Sequence, residues 1–226
     1  MKRLVCAILF CSIAITASAQ LRDFGYVFPE FETAIIQQKS GPPLEASVNY
    51  DMMGQYMLFA LDGEYYVLLA NDILAVYVAQ RKFVPAPGPK SSNAFLEEIP
   101  IPNGELYVRR VVKNTYRGKS LGYDMYSETN AVSTVGTYYH VMPGLSTSMG
   151  MKIDLVPAVK QEVEDASQYY ANLNGKYRQI TGLNTISKLF KSHRDEIKKY
   201  IDDNGLRFEN EENIARALSY AFSLQR

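Results

Sequence analysis

Three two-residue turn signals divide the middle and end of this chain, and each forces its flanks to run antiparallel. Asp62-Gly63 separates QYMLFAL from EYYVLLA, Asn103-Gly104 separates FLEEIPIP from ELYVRRVV, and Asn174-Gly175 separates SQYYANL from KYRQI. Each dipeptide can supply the two positive-φ residues of a type I′ hairpin, and Tyr, Val, Ile or Leu flank every one. A connection this short joins only antiparallel strands. Further strands are expected at 31–39 (FETAIIQQK), 45–50 (EASVNY), 74–80 (LAVYVAQ), 82–85 (KFVP) and 138–142 (YYHVM). EYYVLLA is almost continuously apolar, which suits a strand covered on both faces. ELYVRRVV alternates, with Leu106, Val108 and Arg110 opposed to Tyr107, Arg109 and Val111, which suits a half-exposed one.

The period changes near the C-terminus. Ile186, Leu189, Phe190, His193, Ile197, Tyr200 and Ile201 recur at spacings of three and four, one face of a helix. Ser192 and Asp195 have capping-box spacing and divide this stretch into a short helix and a longer one. Ile214, Ala217, Leu218, Ala221 and Phe222 mark a last helix, with Asn210 as its N-cap and Glu211 and Glu212 in the first turn. The expected fold is α+β: an antiparallel meander, sandwich-like or a half-barrel, with a C-terminal hairpin and two to three helices. The β-rich region covers 20–156, and the hairpin and helices of 157–226 pack on the same core. Helices with a single apolar face need that support. Residues 85–94, with three prolines, and 117–137, rich in Ser, Thr and Gly, read as loops.

Residues 1–19 stand apart. Lys2 and Arg3 precede an apolar run from Leu4 to Thr16, and Ala17-Ser18-Ala19 has the small-residue form of a cleavage site. This is the layout of a secretory signal peptide, and the run is shorter than the roughly 20 residues of a spanning helix. Neither Cys6 nor Cys11 follows a small residue, so lipid attachment is not expected. Cleavage would leave 207 residues and remove both cysteines, hence every thiol and disulfide. The whole chain has 24 basic and 24 acidic residues; loss of Lys2 and Arg3 gives 22 against 24, a net −2. That balance gives no electrostatic reason to bind nucleic acid. The mature chain keeps no apolar run of spanning length. The destination is periplasmic or extracellular.

KLFKSHRDEIKKYIDDNGLRFENEENIARALSYA, preceded by NGKYRQI, resembles the C-terminal end of a widespread family of exported, largely uncharacterised proteins of Gram-negative bacteria. LDGEYYVLLANDILAVYVAQRKFVP and GKSLGYDMYSET are similar to its middle portion, so the resemblance covers about residues 33–224. Lys191 stands where the family pattern has proline. The resemblance implies export and a shared fold. Its motifs are packing and turn residues, so it carries over no catalytic or binding residue.

Several stretches imitate functional motifs. In YIDDNGLRFENEE (200–212), Asp202, Asn204, Gly205 and Glu211 fall at positions 3, 5, 6 and 12 of an EF-hand loop. Tyr200 replaces the required first carboxylate, and a hard cation wants six to eight oxygens. A helix ending at Asn204-Gly205, with Leu206 or Phe208 packing back, is the expected outcome. The same segment as a DNA-reading helix-turn-helix would start its second helix acidic. Lys188, Lys191, Arg194, Lys198 and Lys199 read as a solvated face. GLSTSMG (144–150) lacks the last glycine of a nucleophile elbow, and His140 and His193 do not have metal-ligand spacing. Glu97, Glu98, Asp124 and Glu128 are candidates for the two carboxylates of glycoside hydrolysis. The 17 tyrosines, with no tryptophan, include Tyr116, Tyr123 and Tyr126 in or beside the polar loop, where their rings could meet a sugar or peptide. The expectation is a non-catalytic binding or structural protein of the cell envelope, with those three tyrosines as contact surface. Its partner would be a protein or glycan of the envelope. No catalytic residue, cofactor or metal site is assigned. The alternative is a hydrolase acting on an envelope or extracellular polymer through a carboxylate pair.

Overall fold

The computed structural model describes residues 25–88, 93–114, 150–153 and 163–225. Thirteen strands are seen among them: β1 (Glu32–Gln38), β2 (Leu44–Asp51), β3 (Tyr56–Leu61), β4 (Glu64–Leu68), β5 (Ile73–Val78), β6 (Arg81–Pro85), β7 (Phe95–Ile101), β8 (Gly104–Arg109), β9 (Val112–Asn114), β10 (Gly150–Ile153), β11 (Val163–Asp165), β12 (Gln168–Leu173) and β13 (Lys176–Ile180). Three helices follow: α1 (Leu183–Leu189), α2 (Arg194–Asp203) and α3 (Glu211–Ser223). The fold is α+β. Eleven strands form one antiparallel sheet in the order β10-β4-β3-β2-β1-β5-β6-β7-β8-β12-β13, and β9 pairs with β11 separately. Of the expected strands, that at 138–142 lies outside the described residues, as do residues 1–24.

Two of the three turn signals form type I′ hairpins. Asp62 and Gly63 have φ of 52° and 79°, and Asn174 and Gly175 have 54° and 78°. The third differs. Ile101 pairs with Gly104, so Pro102 and Asn103 are the corner residues, and only Asn103 has positive φ, 69°. Proline followed by a left-handed Asn is the type II arrangement. Gly104 instead starts β8, where a Cβ would lie 2.5 Å from Cδ2 of Phe222 on α3. The glycine is there for close approach of a helix.

The sheet is strongly curled. Tyr50 on β2 and Phe83 on β6 stack with ring centroids 5.7 Å apart, although three strand spacings, roughly 14 Å in a flat sheet, separate their strands. The Tyr50 hydroxyl even donates to the carbonyl of Phe95 on β7 at 3.3 Å. Val112 N donates to Met52 O at the end of β2. The result is a half-barrel whose ladder does not close. Inside it pack Ile36, Val48, Tyr50, Phe59, Tyr66, Val76, Phe83 and Phe95. Val67 of β4 faces the other way, against Leu58 and the partly buried Phe31 and Tyr65, so EYYVLLA is covered on both faces. Where β2 outruns β1, the buried Asn49 side chain replaces the missing ladder bonds: its Oδ1 accepts from Phe28 N, and its Nδ2 donates to Phe28 O and Glu30 O.

On the same face of the sheet, a second core lies under the helices. Leu106 and Val108 of β8 and Ala171 of β12 meet Ile186, Phe190, Ile197, Ile201, Ile214, Ala217, Leu218 and Ala221. The helical period therefore reads correctly. The division of α1 from α2 also occurs, but not through a capping box: Ser192 lies in a 3-10 turn, and no side chain caps α2. Asn210 does cap α3, its Oδ1 accepting from Glu212 N at 2.8 Å.

Between the two cores runs an ionic seam. Arg81 holds Glu97 by two hydrogen bonds of 2.6 and 2.5 Å, Arg110 Nε bonds Glu97 at 2.6 Å, and Arg110 Nη1 reaches Glu211 of α3 at 2.6 Å. Arg81 also covers the rings of Phe28 and Phe83. Burial opposes the Glu97 charge, yet the two guanidinium groups hold its carboxyl below the usual range. Alternating charges are what make such a buried network tolerable, since any one of them alone would carry an uncompensated desolvation cost.

Candidate functional site

The carboxylate candidates part company on β7. Glu97 and Glu98 are successive residues of one strand and so project from opposite faces. Glu97 is committed to the seam on the core face. Glu98 lies on the outer face, where Lys82 Nζ bonds it at 2.7 Å and has its pKa raised chiefly by that bond. They cannot serve as one catalytic pair. Asp124 and Glu128 lie outside the described residues, and so do His140, Tyr116, Tyr123 and Tyr126.

YIDDNGLRFENEE is a helix end followed by a helix start. Gly205 has φ of 57°; its N–H donates to Asp202 O, and Leu206 N donates to Ile201 O, the paired bonds of a Schellman motif. Leu206 is buried in the helical core. Asn204 Nδ2 donates back to Tyr200 O at 2.8 Å. Among the described residues no three of His, Cys, Asp and Glu are grouped to hold a metal. Lys188, Lys191, Arg194 and Lys199 are exposed, Lys198 half-buried. His193 is half-buried, with Nδ1 3.3 Å from Glu196.

The outer face of the sheet brings together residues that were not grouped by sequence. Register places Ile35, Tyr77, Lys82, Glu98, Tyr107 and Tyr170 directly opposite one another on β1, β5, β6, β7, β8 and β12. They form one row running across six adjacent strands. Ile35 and Tyr77 are 50% and 44% exposed, uncommon for large apolar side chains standing side by side. Tyr107 is the floor. Its hydroxyl lies 3.4 Å from both Glu98 and Glu105, and its ring meets Tyr177 edge-on at 4.9 Å. Burial, Glu98, Tyr177 and Glu105 all push its phenol up, so it stays a donor.

At the middle of the row, a depression of about 400 Å³ is lined by Tyr77, Lys82 and Glu98 together with Ala79, Gln80 and Pro100. Its rim is the β5–β6 hairpin, where Ala79 and Gln80 have φ of 47° and 62°. Left-handed backbone without Gly, Asn or Asp costs roughly 1–2 kcal/mol per residue, and such strain clusters at functional positions. The alternation of ELYVRRVV separated Tyr107 from Leu106 and Val108, but the half-exposed strand it suggested does not form: Tyr107 is buried on its own face as they are on theirs. The alignment with Tyr77, Lys82 and Glu98 was not legible there, because register is a property of strand pairs.

No helix among the described residues is long and apolar enough to cross a membrane. Compared with known proteins, the chain matches no family model, no curated protein and no solved structure.

Proposed function

We propose that this is an exported, non-catalytic binding protein whose contact surface is the outer-face row on β1, β5–β8 and β12. The observation that carries the reading is the alignment of exposed Tyr77 and Ile35 with Lys82, Glu98 and Tyr107 in one cross-strand line. Aromatic rings with polar tips supply large contact area at low entropic cost. Export rests on the leader pattern of residues 1–19 and on the resemblance to exported proteins of Gram-negative bacteria. N-terminal sequencing of the secreted chain should begin at Gln20.

The contact surface is tested by placing a photo-crosslinking side chain at position 77 in cells, with position 199 on exposed helix α2 as control. Crosslinked adducts at 77 and none at 199 are expected. Equal labelling of the two, or labelling at 199 alone, would defeat the assignment. The hydrolase alternative draws on one observation: Glu98 and Glu105 flank the Tyr107 hydroxyl. Against it, Lys82 pairs with Glu98 at 2.7 Å and neutralises one of the two carboxylates.

A further inference from the structure

We infer that the row takes a linear, electrically neutral polysaccharide laid across the strands, one sugar ring to each strand. This rests on the binding reading above and names its ligand class.

Strand geometry argues for a glycan over a peptide. Within the sheet the backbone groups of β5, β6, β7, β8 and β12 are paired on both sides. Their outer face therefore presents side chains only. A peptide adding by main-chain hydrogen bonds needs a free edge. The row from Ile35 to Tyr170 crosses five strand spacings on the convex side of the curl, a contour of about 24 Å along the backbone at roughly 4.8 Å each. That spacing is comparable to the advance of one pyranose in an extended glycan. An extended peptide advances about 3.3 Å per residue with alternating side chains, and falls out of step with the row.

The chemistry points the same way. Glu98 and Glu105 accept, the Lys82 ammonium donates, and the Tyr107 and Tyr170 hydroxyls can do both. Sugar hydroxyls also donate and accept, so they can satisfy all of these. Tyr77 and Ile35 offer the apolar footing on which a ring's C–H face can rest. On this face Glu45, opposite Ile35, with Glu98 and Glu105 outnumber Lys82 and Arg109, a slight negative excess that disfavours uronic-acid or phosphate polymers.

The test is affinity electrophoresis and calorimetry of the purified protein with amylose, xylan, mannan, β-1,3-glucan and chitin oligomers, and with oligogalacturonate as the anionic control. At least one neutral series should bind, with affinity rising for each added ring up to about six, one per strand of the row. Oligogalacturonate should not bind. Tyr77→Ala, Glu98→Gln and Tyr107→Phe should each weaken binding tenfold or more. Tyr107→Phe keeps the ring packed, and Tyr77→Ala changes an exposed side chain, so unchanged melting of these two separates lost contact from lost fold. Absence of binding to all five neutral polymers, tighter binding of oligogalacturonate, or binding indifferent to all three variants would overturn the inference. If the crosslinker at 77 captures a protein while no glycan binds, the ligand class falls and the contact surface stands. If 77 captures nothing and no glycan binds, both fall.

Discussion

Replacing Gly104 by alanine sets two effects of opposite sign against each other. In the unfolded chain alanine has fewer conformations to lose, which stabilises by about 0.4–1 kcal/mol where the native backbone accepts it. Gly104 lies outside the left-handed region, so the backbone does accept it. Against this, the new Cβ would meet Phe222 at 2.5 Å from Cδ2, 2.6 Å from Cε2 and 3.0 Å from Cγ. The ring cannot swing aside freely, because Phe190 packs against it edge-on at 5.3 Å. Overpacking of this kind costs typically 1–3 kcal/mol. The clash should win by about 1–2 kcal/mol, a fall in melting temperature of roughly 2–8 °C for a chain of this size. Phe222→Leu on its own should also destabilise, since it removes an aromatic contact worth about 0.5–1.5 kcal/mol. Together the two changes should cost at least 1 kcal/mol less than their sum, the coupling expected of residues in direct contact. Urea unfolding of the four proteins measures the cycle. Wild-type stability for Gly104→Ala, or strict additivity in the double variant, would refute close helix approach as the reason for this glycine.

Three other changes test the rest of the frame. Glu97→Gln leaves Arg81 and Arg110 with an uncharged partner and should cost about 3 kcal/mol at pH 7. The folded carboxyl is held below its unfolded value of about 4.3, so its contribution is present above that pH and lost as pH falls through the folded value. The gap between variant and wild type should therefore close in acid, and a gap constant from pH 7 to pH 3 would count against the seam. Asn49→Ala strands the buried N–H and C=O of Phe28, also removes a donor from the part-buried Glu30 carbonyl, and should cost about 2–3 kcal/mol by urea unfolding; Asn49→Asp should not restore it, because the donor is gone. Ala79→Asn with Gln80→Gly should raise stability by about 1–2 kcal/mol by relieving the left-handed strain, and no gain in a thermal melt would mean the hairpin is not strained.

Local chemistry was legible to the extent that it is local. Asp62-Gly63 and Asn174-Gly175 became the turns their dipeptides specify, Asn204-Gly205 ended a helix, and Asn210 began one, because each depends on a few consecutive residues. Asn103-Gly104 carries the same letters and behaves otherwise. Pro102, with its φ fixed near −65°, takes the first corner, and Gly104 is claimed by a side chain 118 positions away. Ser192 and Asp195 had capping spacing and no cap, since the chain there is drawn into a 3-10 turn above Phe190.

The binding surface shows the same division. Alternation in ELYVRRVV was enough to separate Tyr107 from Leu106. It could not place Tyr107 beside Glu98, or Tyr77 two strands beyond, because no single strand encodes register. Antiparallel order, the helical C-terminus and the α+β class were determined by turn residues and apolar period. The curl that brings Tyr50 to Phe83, the opposite fates of Glu97 and Glu98, and the row on the outer face were decided by tertiary structure. Backbone preference acts over a few residues, whereas curvature and register follow from burying side chains contributed by many strands at once.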